Sequence, residues 1–110
     1  MNGKRFCQYF LFLATVLCTP LSYASTVWID VRTQAEHFIN NIEGDVRISY
    51  GDIVEEVSEM YPNKDTDIHL YCRSGRRASA AMAALRDSGY TNVSNIGSIE
   101  NARSARGLKN

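Results

Sequence analysis

The chain has 110 residues, with 12 basic and 12 acidic side chains and no formal net charge. That length leaves room for one small domain with a modest core and excludes a multidomain machine. The even charge balance gives no reason to expect nucleic acid or an anionic membrane surface as a partner.

In chain order, residues 1–24 read as an export leader. Lys4 and Arg5 open it, residues 10–17 form an apolar run, and Ser22-Tyr23-Ala24 is a small-residue cleavage site. The run is too short to span a bilayer. Cys18 follows Leu17, where lipidation would need a small residue, so the cut is placed after Ala24. Removing 24 of the 110 residues leaves a single domain, residues 25–110, of 86 residues. Lys4 and Arg5 depart with the leader, so 10 basic face 12 acidic groups and the net charge becomes −2. The leader implies an exported, oxidising compartment, and leaves periplasm and outright secretion both open. Cys7 and Cys18 leave as well, and Cys72 becomes the lone thiol in an oxidising space, either buried and inert or kept for its reactivity.

Residues 27–31 alternate as a strand with Val27, Ile29 and Val31 on one side. Thr33 and Glu36 form a capping box that opens a short helix to about Asn40. Turn chemistry follows through Gly44, then a short strand over 46–48. Asp52 and Glu55 suggest a second capping box, with Ile53, Val57 and Met60 at helical spacing before Pro62 stops the helix. Residues 68–71 read as the central strand. A helix from Ala78 places Ala78, Ala81, Met82 and Leu85 on one face, and Gly89 sits just past its end. A last strand falls within 90–96 and a polar terminal helix within 99–106. Alternating strands and helices imply an α/β fold with a mostly parallel sheet of four to five strands and helices on both faces. Sites in such sheets lie beyond the carboxyl ends of the strands, where Cys72 falls.

The hexapeptide Cys72-Arg73-Ser74-Gly75-Arg76-Arg77 joins the central strand to that helix. A cysteine there faces several backbone N–H groups at a helix N-terminus, which favour negative charge and lower a thiol's pKa. Cations at a helix start oppose the dipole, so Arg76 and Arg77 make sense if an anion sits between them and the loop. The pattern predicts a sulfur nucleophile in an anion-binding cup. The plainer readings are a buried core cysteine and a solvated basic turn. Asp30 and Arg32 read as a structural ion pair, His69 as a satisfied strand histidine, and Arg86, Arg103 and Arg106 as surface charges.

Four segments together resemble the rhodanese family. Asp30-Val31-Arg32 with Glu36-His37-Phe38 resembles its D-x-R…E-[FY] opening, Ile42-Glu43-Gly44 the middle of H-I-x-G-A, residues 72–77 the C-x-x-G-x-R active-site loop, and Gly89-Tyr90-Thr91-Asn92-Val93 the G-[FY]-x-x-V segment. Asn41 stands at the usual His, Asp45 at the usual Ala, Arg47 and Ser49 replace the usual Asn and Pro, and Gly97-Ser98 replaces Gly-Gly with no following Trp. The resemblance implies a small rhodanese-like three-layer domain. It also implies a two-step, ping-pong sulfur transfer with thiosulfate as donor and a thiophilic acceptor, cyanide or a thiol. Cys72 is the catalytic nucleophile in that scheme, and Arg73, Ser74, Gly75, Arg76 and Arg77 bind substrate. The N–H groups of residues 73–77 hold the persulfide, Arg73 and Arg76 take the sulfonate end, and Arg77 fixes the loop. No metal or cofactor is required, no membrane contact is expected after leader removal, and the domain is expected to be a monomer. Two other readings stay open: a non-catalytic rhodanese-like binding module, and a cysteine phosphatase or arsenate reductase, whose loops commonly run Cys-x5-Arg where Ala78 stands here.

Overall fold

The structure is a computed structural model in which residues 25–109 are described. The leader assigned to residues 1–24 lies outside them. Strands β1 (Val27–Asp30), β2 (Val46–Arg47), β3 (Ile68–Cys72) and β4 (Val93–Ser98) alternate with helices α1 (Gln34–Ile39), α2 (Ile53–Met60), α3 (Arg76–Asp87) and α4 (Ile99–Ala105). The sheet order is β2-β1-β3-β4 and every pairing is parallel. The sheet therefore has four strands, the lower of the two expected numbers. Among the described residues no helix is long and apolar enough to cross a membrane.

The chain steps from β1 to β2 on one side, then returns past β1 to β3 on the other. Right-handed crossovers send helices to opposite faces when the direction of travel reverses. The core is accordingly double. Ile29, Val31, Ile68, Leu70 and Cys72 pack with Ile53 and Val57 of α2 and with Ala78, Ala81 and Leu85 of α3. On the other face Tyr71 packs with Ile42, Ile99 and Ala102, joined by Trp28 and Ile96. Period-two alternation along β1 and β3 sorts these sets. Small side chains on the inner face of α3 let it lie close over β3 and β4. Tyr90, also buried, donates its hydroxyl to the Tyr61 carbonyl at 2.7 Å and pins the end of α2.

Two element boundaries differ from expectation. The Thr33–Glu36 capping box forms in full, but Asp52 makes no side-chain cap. Instead a 3-10 turn, Tyr50–Asp52, runs directly into α2, so Asp52 is already turned before the helix begins. Helix α3 begins at Arg76, two residues before Ala78, because Gly75 takes a left-handed conformation that closes the loop early. The arginines read as surface charges make specific contacts. Arg106 grips Asp45 through both guanidinium nitrogens, at 2.7 and 3.0 Å, and covers the Trp28 ring. Arg103 reaches Asn40 and Asn41, and Arg86 the Val93 carbonyl.

Leu70 sits on the central strand with no exposed surface. Replacing it with Ala is expected to cost about 2–5 kcal/mol of unfolding free energy, read as a fall in the urea midpoint at unchanged slope.

Candidate active site

The end of β3 and the start of α3 form the site. The sheet order reverses between β1 and β3, and such a switch point opens a crevice beyond the strand ends. Cys72 is the last residue of β3, and its side chain is only 1% exposed. Its inner side touches the core. Around the sulfur, the Gly75 N–H donates to Sγ at 2.9 Å. Burial pushes the thiol up, but backbone N–H groups of Ala78, Ser74, Gly75 and Arg77 outweigh it, and the net direction is downward. Peptide dipoles thus stabilise the thiolate in place of water. The amides doing so belong to residues 74, 75, 77 and 78.

Gly75 is the residue that lets the loop turn. Its φ is +93°, and a Cβ there would lie 3.2 Å from the Gly97 Cα, so a side chain meets both backbone strain and a close wall. Asn95, which sequence reasoning missed, ties the two together. Its Nδ2 donates to the Gly75 carbonyl at 2.9 Å, and its Oδ1 accepts the Gly97 N–H at 2.9 Å. This clamp is made possible by an irregularity in the ladder: Leu70 pairs with Asn95 but Tyr71 with Gly97, so β4 carries one extra residue there. An amide side chain two residues before a glycine inside a strand was the available signal.

A polar brace supports the loop from the β1 side. Asp30 is wholly buried and accepts from Arg32 Nε at 2.9 Å, Arg32 Nη2 at 2.8 Å and the Arg32 backbone N–H at 3.0 Å. His37 Nδ1 lies 2.9 Å from Asp30 Oδ2, the oxygen that also accepts Arg32 Nη2. Burial alone pushes the Asp30 carboxyl up, yet the Arg32 and His37 hydrogen bonds win and hold it below the ordinary value. The expected structural ion pair is therefore present. Arg32 also donates to the Asn40 carbonyl at the end of α1. That helix buries no residue, so polar contacts hold it instead of a hydrophobic stripe. Glu36 of α1 receives Arg77 through two bonds, at 2.8 and 3.0 Å. The Arg77 guanidinium thereby joins the active loop to α1.

Arg73, Ser74 and Arg76 are exposed. Among the described residues neither Arg73 nor Arg76 meets a carboxylate. Together with Arg77, Tyr50 and Ala80 these three line a groove of about 650 Å³. Two such guanidinium groups on the loop that carries Cys72 suit a small oxyanion. His69 lies on the opposite face of the sheet from Cys72. Its Nε2 is 3.4 Å from Asp67, its ring meets Trp28 edge-on, and its Nδ1 is buried without a partner, so it is only half satisfied. Among the described residues no His, Cys, Asp or Glu cluster is arranged to hold a metal.

The only cysteine among the described residues, facing a peptide amide at the crest of a parallel α/β sheet, defines a class of α/β domain with a strand-end cysteine loop. The chain belongs to the rhodanese-like domain family, whose profile matches residues 17–105. It is 31% identical over 90 residues to thiosulfate sulfurtransferase PspE of Escherichia coli, covering 82% of this chain and 86% of that protein. It is 33% identical over 92 residues to the tRNA uridine(34) hydroxylase of Photorhabdus laumondii, but spans only 26% of that longer protein. Among solved structures, a rhodanese with anions from E. coli superposes with a TM-score of 0.66 at 28% identity, covering 70% of this chain and 91% of that one. These relationships support a sulfurtransferase.

Iodoacetamide alkylation of Cys72 is expected to reach half its limiting rate below the ordinary thiol pH of about 8.5. Asn95→Ala should move that midpoint upward by up to about one unit, since a hydrogen bond contributes about 1 kcal/mol. An unmoved midpoint would separate the clamp from the thiolate.

The Arg77 hydrogen bonds hold the Glu36 carboxyl down to about 2, against burial that raises it. Its stabilising contribution is present above the ordinary carboxyl value and is lost as pH falls from about 4.5 toward 2. Urea midpoints measured across that window should fall less steeply for Glu36→Gln than for the parent chain.

Proposed function

We propose that the chain is an exported thiosulfate sulfurtransferase that carries its sulfur as a persulfide on Cys72. The single observation that carries this reading is the Gly75 N–H aimed at the sulfur of Cys72 from a loop whose Arg73 and Arg76 meet no carboxylate among the described residues. In the first half-reaction the thiolate attacks the outer, sulfane sulfur of thiosulfate. A new S–S bond forms, the old one breaks, and its electron pair leaves on sulfite. Two anions, thiolate and thiosulfate, become two anions, persulfide and sulfite, with total charge unchanged. In the second half-reaction a thiophilic acceptor, cyanide or a small thiolate, attacks the outer sulfur and restores the Cys72 thiolate.

Each residue has a role in this scheme. Ser74, Gly75 and Arg77 supply backbone N–H groups to the sulfur anion, before and after it gains its second atom. Arg73 and Arg76 receive the sulfonate end and stabilise the departing sulfite. The Arg77 side chain holds the loop through Glu36. The leader pattern of residues 1–24 supports export, with the periplasm as the compartment, and the domain works as a monomer that needs no cofactor. A phosphatase reading is disfavoured because the arginine lies five positions after the cysteine, where those loops commonly need six.

Thiosulfate treatment should add the mass of one sulfur to the intact domain, and Cys72→Ser should abolish both the adduct and turnover. Arg76→Ala should raise the KM for thiosulfate by about tenfold, the scale of one charged hydrogen bond. A persistent absence of adduct under excess donor would remove the catalytic reading. Hydrolysis of p-nitrophenyl phosphate would instead favour the phosphatase.

A further inference from the structure

Helix α1 is held in a way that no other helix of the fold shares. It buries no residue, and of its six residues only Glu36 and His37 are not exposed. No apolar stripe therefore fixes how the helix is rotated about its own axis. Arg32 and Arg103 hold the chain just beyond it, at Asn40 and Asn41. Within the helix, and apart from its own cap, two side chains hydrogen-bond to the rest of the described fold. Glu36 takes Arg77 of the active loop, and His37 takes Asp30. These two contacts differ in what stands behind them. Asp30 is wholly buried at the end of β1 and accepts three bonds from Arg32, so it is a fixed point. Its carboxyl is held below the ordinary value and stays an acceptor, so His37 Nδ1 carries the proton and donates at 2.9 Å. Arg77, by contrast, belongs to the segment whose shape is at stake.

We propose that His37 is a positioning residue for the Cys72 thiolate: its bond to Asp30 sets the rotation of α1 and, through Glu36 and Arg77, the aim of the loop amides at the sulfur. Consecutive helix residues point about 100° apart. One contact would let α1 pivot, whereas two in different directions fix it. The sheet holds His37, the helix carries that position to the neighbouring Glu36, and Glu36 passes it to Arg77. Among the described residues the imidazole forms no hydrogen bond with the loop, so its effect on Cys72 is indirect. The assignment refines the sulfurtransferase reading and rests on it for turnover alone. Alkylation reads the thiolate whether or not sulfur is transferred.

The test follows the iodoacetamide midpoint of Cys72 through a set of variants. His37→Phe keeps a ring and removes the N–H. It should raise the midpoint by about half a pH unit, which is about threefold less thiolate on the acid side, with the limiting rate at high pH unchanged. His37→Asn places an amide N–H where Nδ1 sits and should restore the parent midpoint. His37→Gln carries its amide one carbon further out and should behave as the Phe variant does. In an Arg77→Met background, His37→Phe should add no further shift, because the route to the loop is already cut. A Cys72 midpoint that His37→Phe leaves unmoved, even with a lower urea midpoint, would make His37 a structural residue only and overturn the assignment. So would an Asn variant that fails to rescue, or shifts that add in the double variant. If His37→Phe does not fold, the contrast between Asn and Gln decides. If thiosulfate loads no sulfur onto the parent chain while the alkylation shifts hold, the transfer reading fails and the positioning role stands.

Discussion

A buried thiolate must find hydrogen-bond donors to replace the water it has lost, and the rest of this structure follows from how that demand is met. The sulfur of Cys72 lies on top of a hydrocarbon core, where burial by itself would keep it protonated and inert. Backbone amides from the loop and from the first turn of α3 oppose that effect and bring the thiol below its ordinary value. They do so without spending any side chain on the task, which leaves Arg73 and Arg76 available to the groove. Amides are also rigid donors. Their direction is set by the path of the chain, so anything that holds the loop's shape holds the sulfur's charge.

Two independent braces hold that shape. From the β4 side, Asn95 spans the carbonyl of Gly75 and the amide of Gly97, and the bulge in β4 aims it. From the β1 side, Arg77 is anchored to Glu36, which also closes the capping box of α1, while Asp30 and Arg32 fasten that helix to the strand end. Helix α1 would contribute little as a packing element, since it buries no side chain. Its value is polar. It converts a solvent-facing turn of chain into a fixed carboxylate for the loop. The large exposure of Phe38 and Ile39 on this helix is the counterpart of that arrangement.

Most of this architecture was legible from local patterns, because the residues that sort a parallel sheet are the same ones that alternate along it. Ile29, Ile68 and Leu70 announce their face by spacing alone, and the Thr33–Glu36 cap forms as its residue types dictate. The loop's placement was legible too, since a cysteine between a strand and a helix falls at the end of the sheet, facing a backbone amide. What stayed hidden depends on contacts between distant segments. Asn95 looks like any polar strand residue until the bulge turns it toward Gly75, twenty positions earlier. Asp52 carries the residue type of a cap but arrives from a 3-10 turn, a conformation that capping patterns do not encode. The start of α3 was read two residues late because arginines at a helix N-terminus oppose its dipole, and the distant Glu36 carboxylate that pairs Arg77 offsets that cost.

The departures from the usual family pattern lie mostly away from the sulfur. Asp45, where an alanine is common, accepts the buried Tyr71 hydroxyl at 2.7 Å and the two-pronged grip of Arg106. Burial and the neighbouring Asp45 carboxylate both push the Tyr71 phenol up, so it stays a neutral donor to that carboxylate. Arg106 in turn covers Trp28, and the substitution is answered by a linked set of contacts on the face of the sheet opposite Cys72. Ser98, where a second glycine is common, accepts the Asn101 N–H and starts α4 directly at the strand end. Gly97 keeps the positive φ, and a Cβ there would meet Asn101 Nδ2 at 2.6 Å. The clamp on the active loop therefore needs only the first of the two glycines. The second position is free to serve as a helix cap, and it can change without disturbing the amides that face the sulfur.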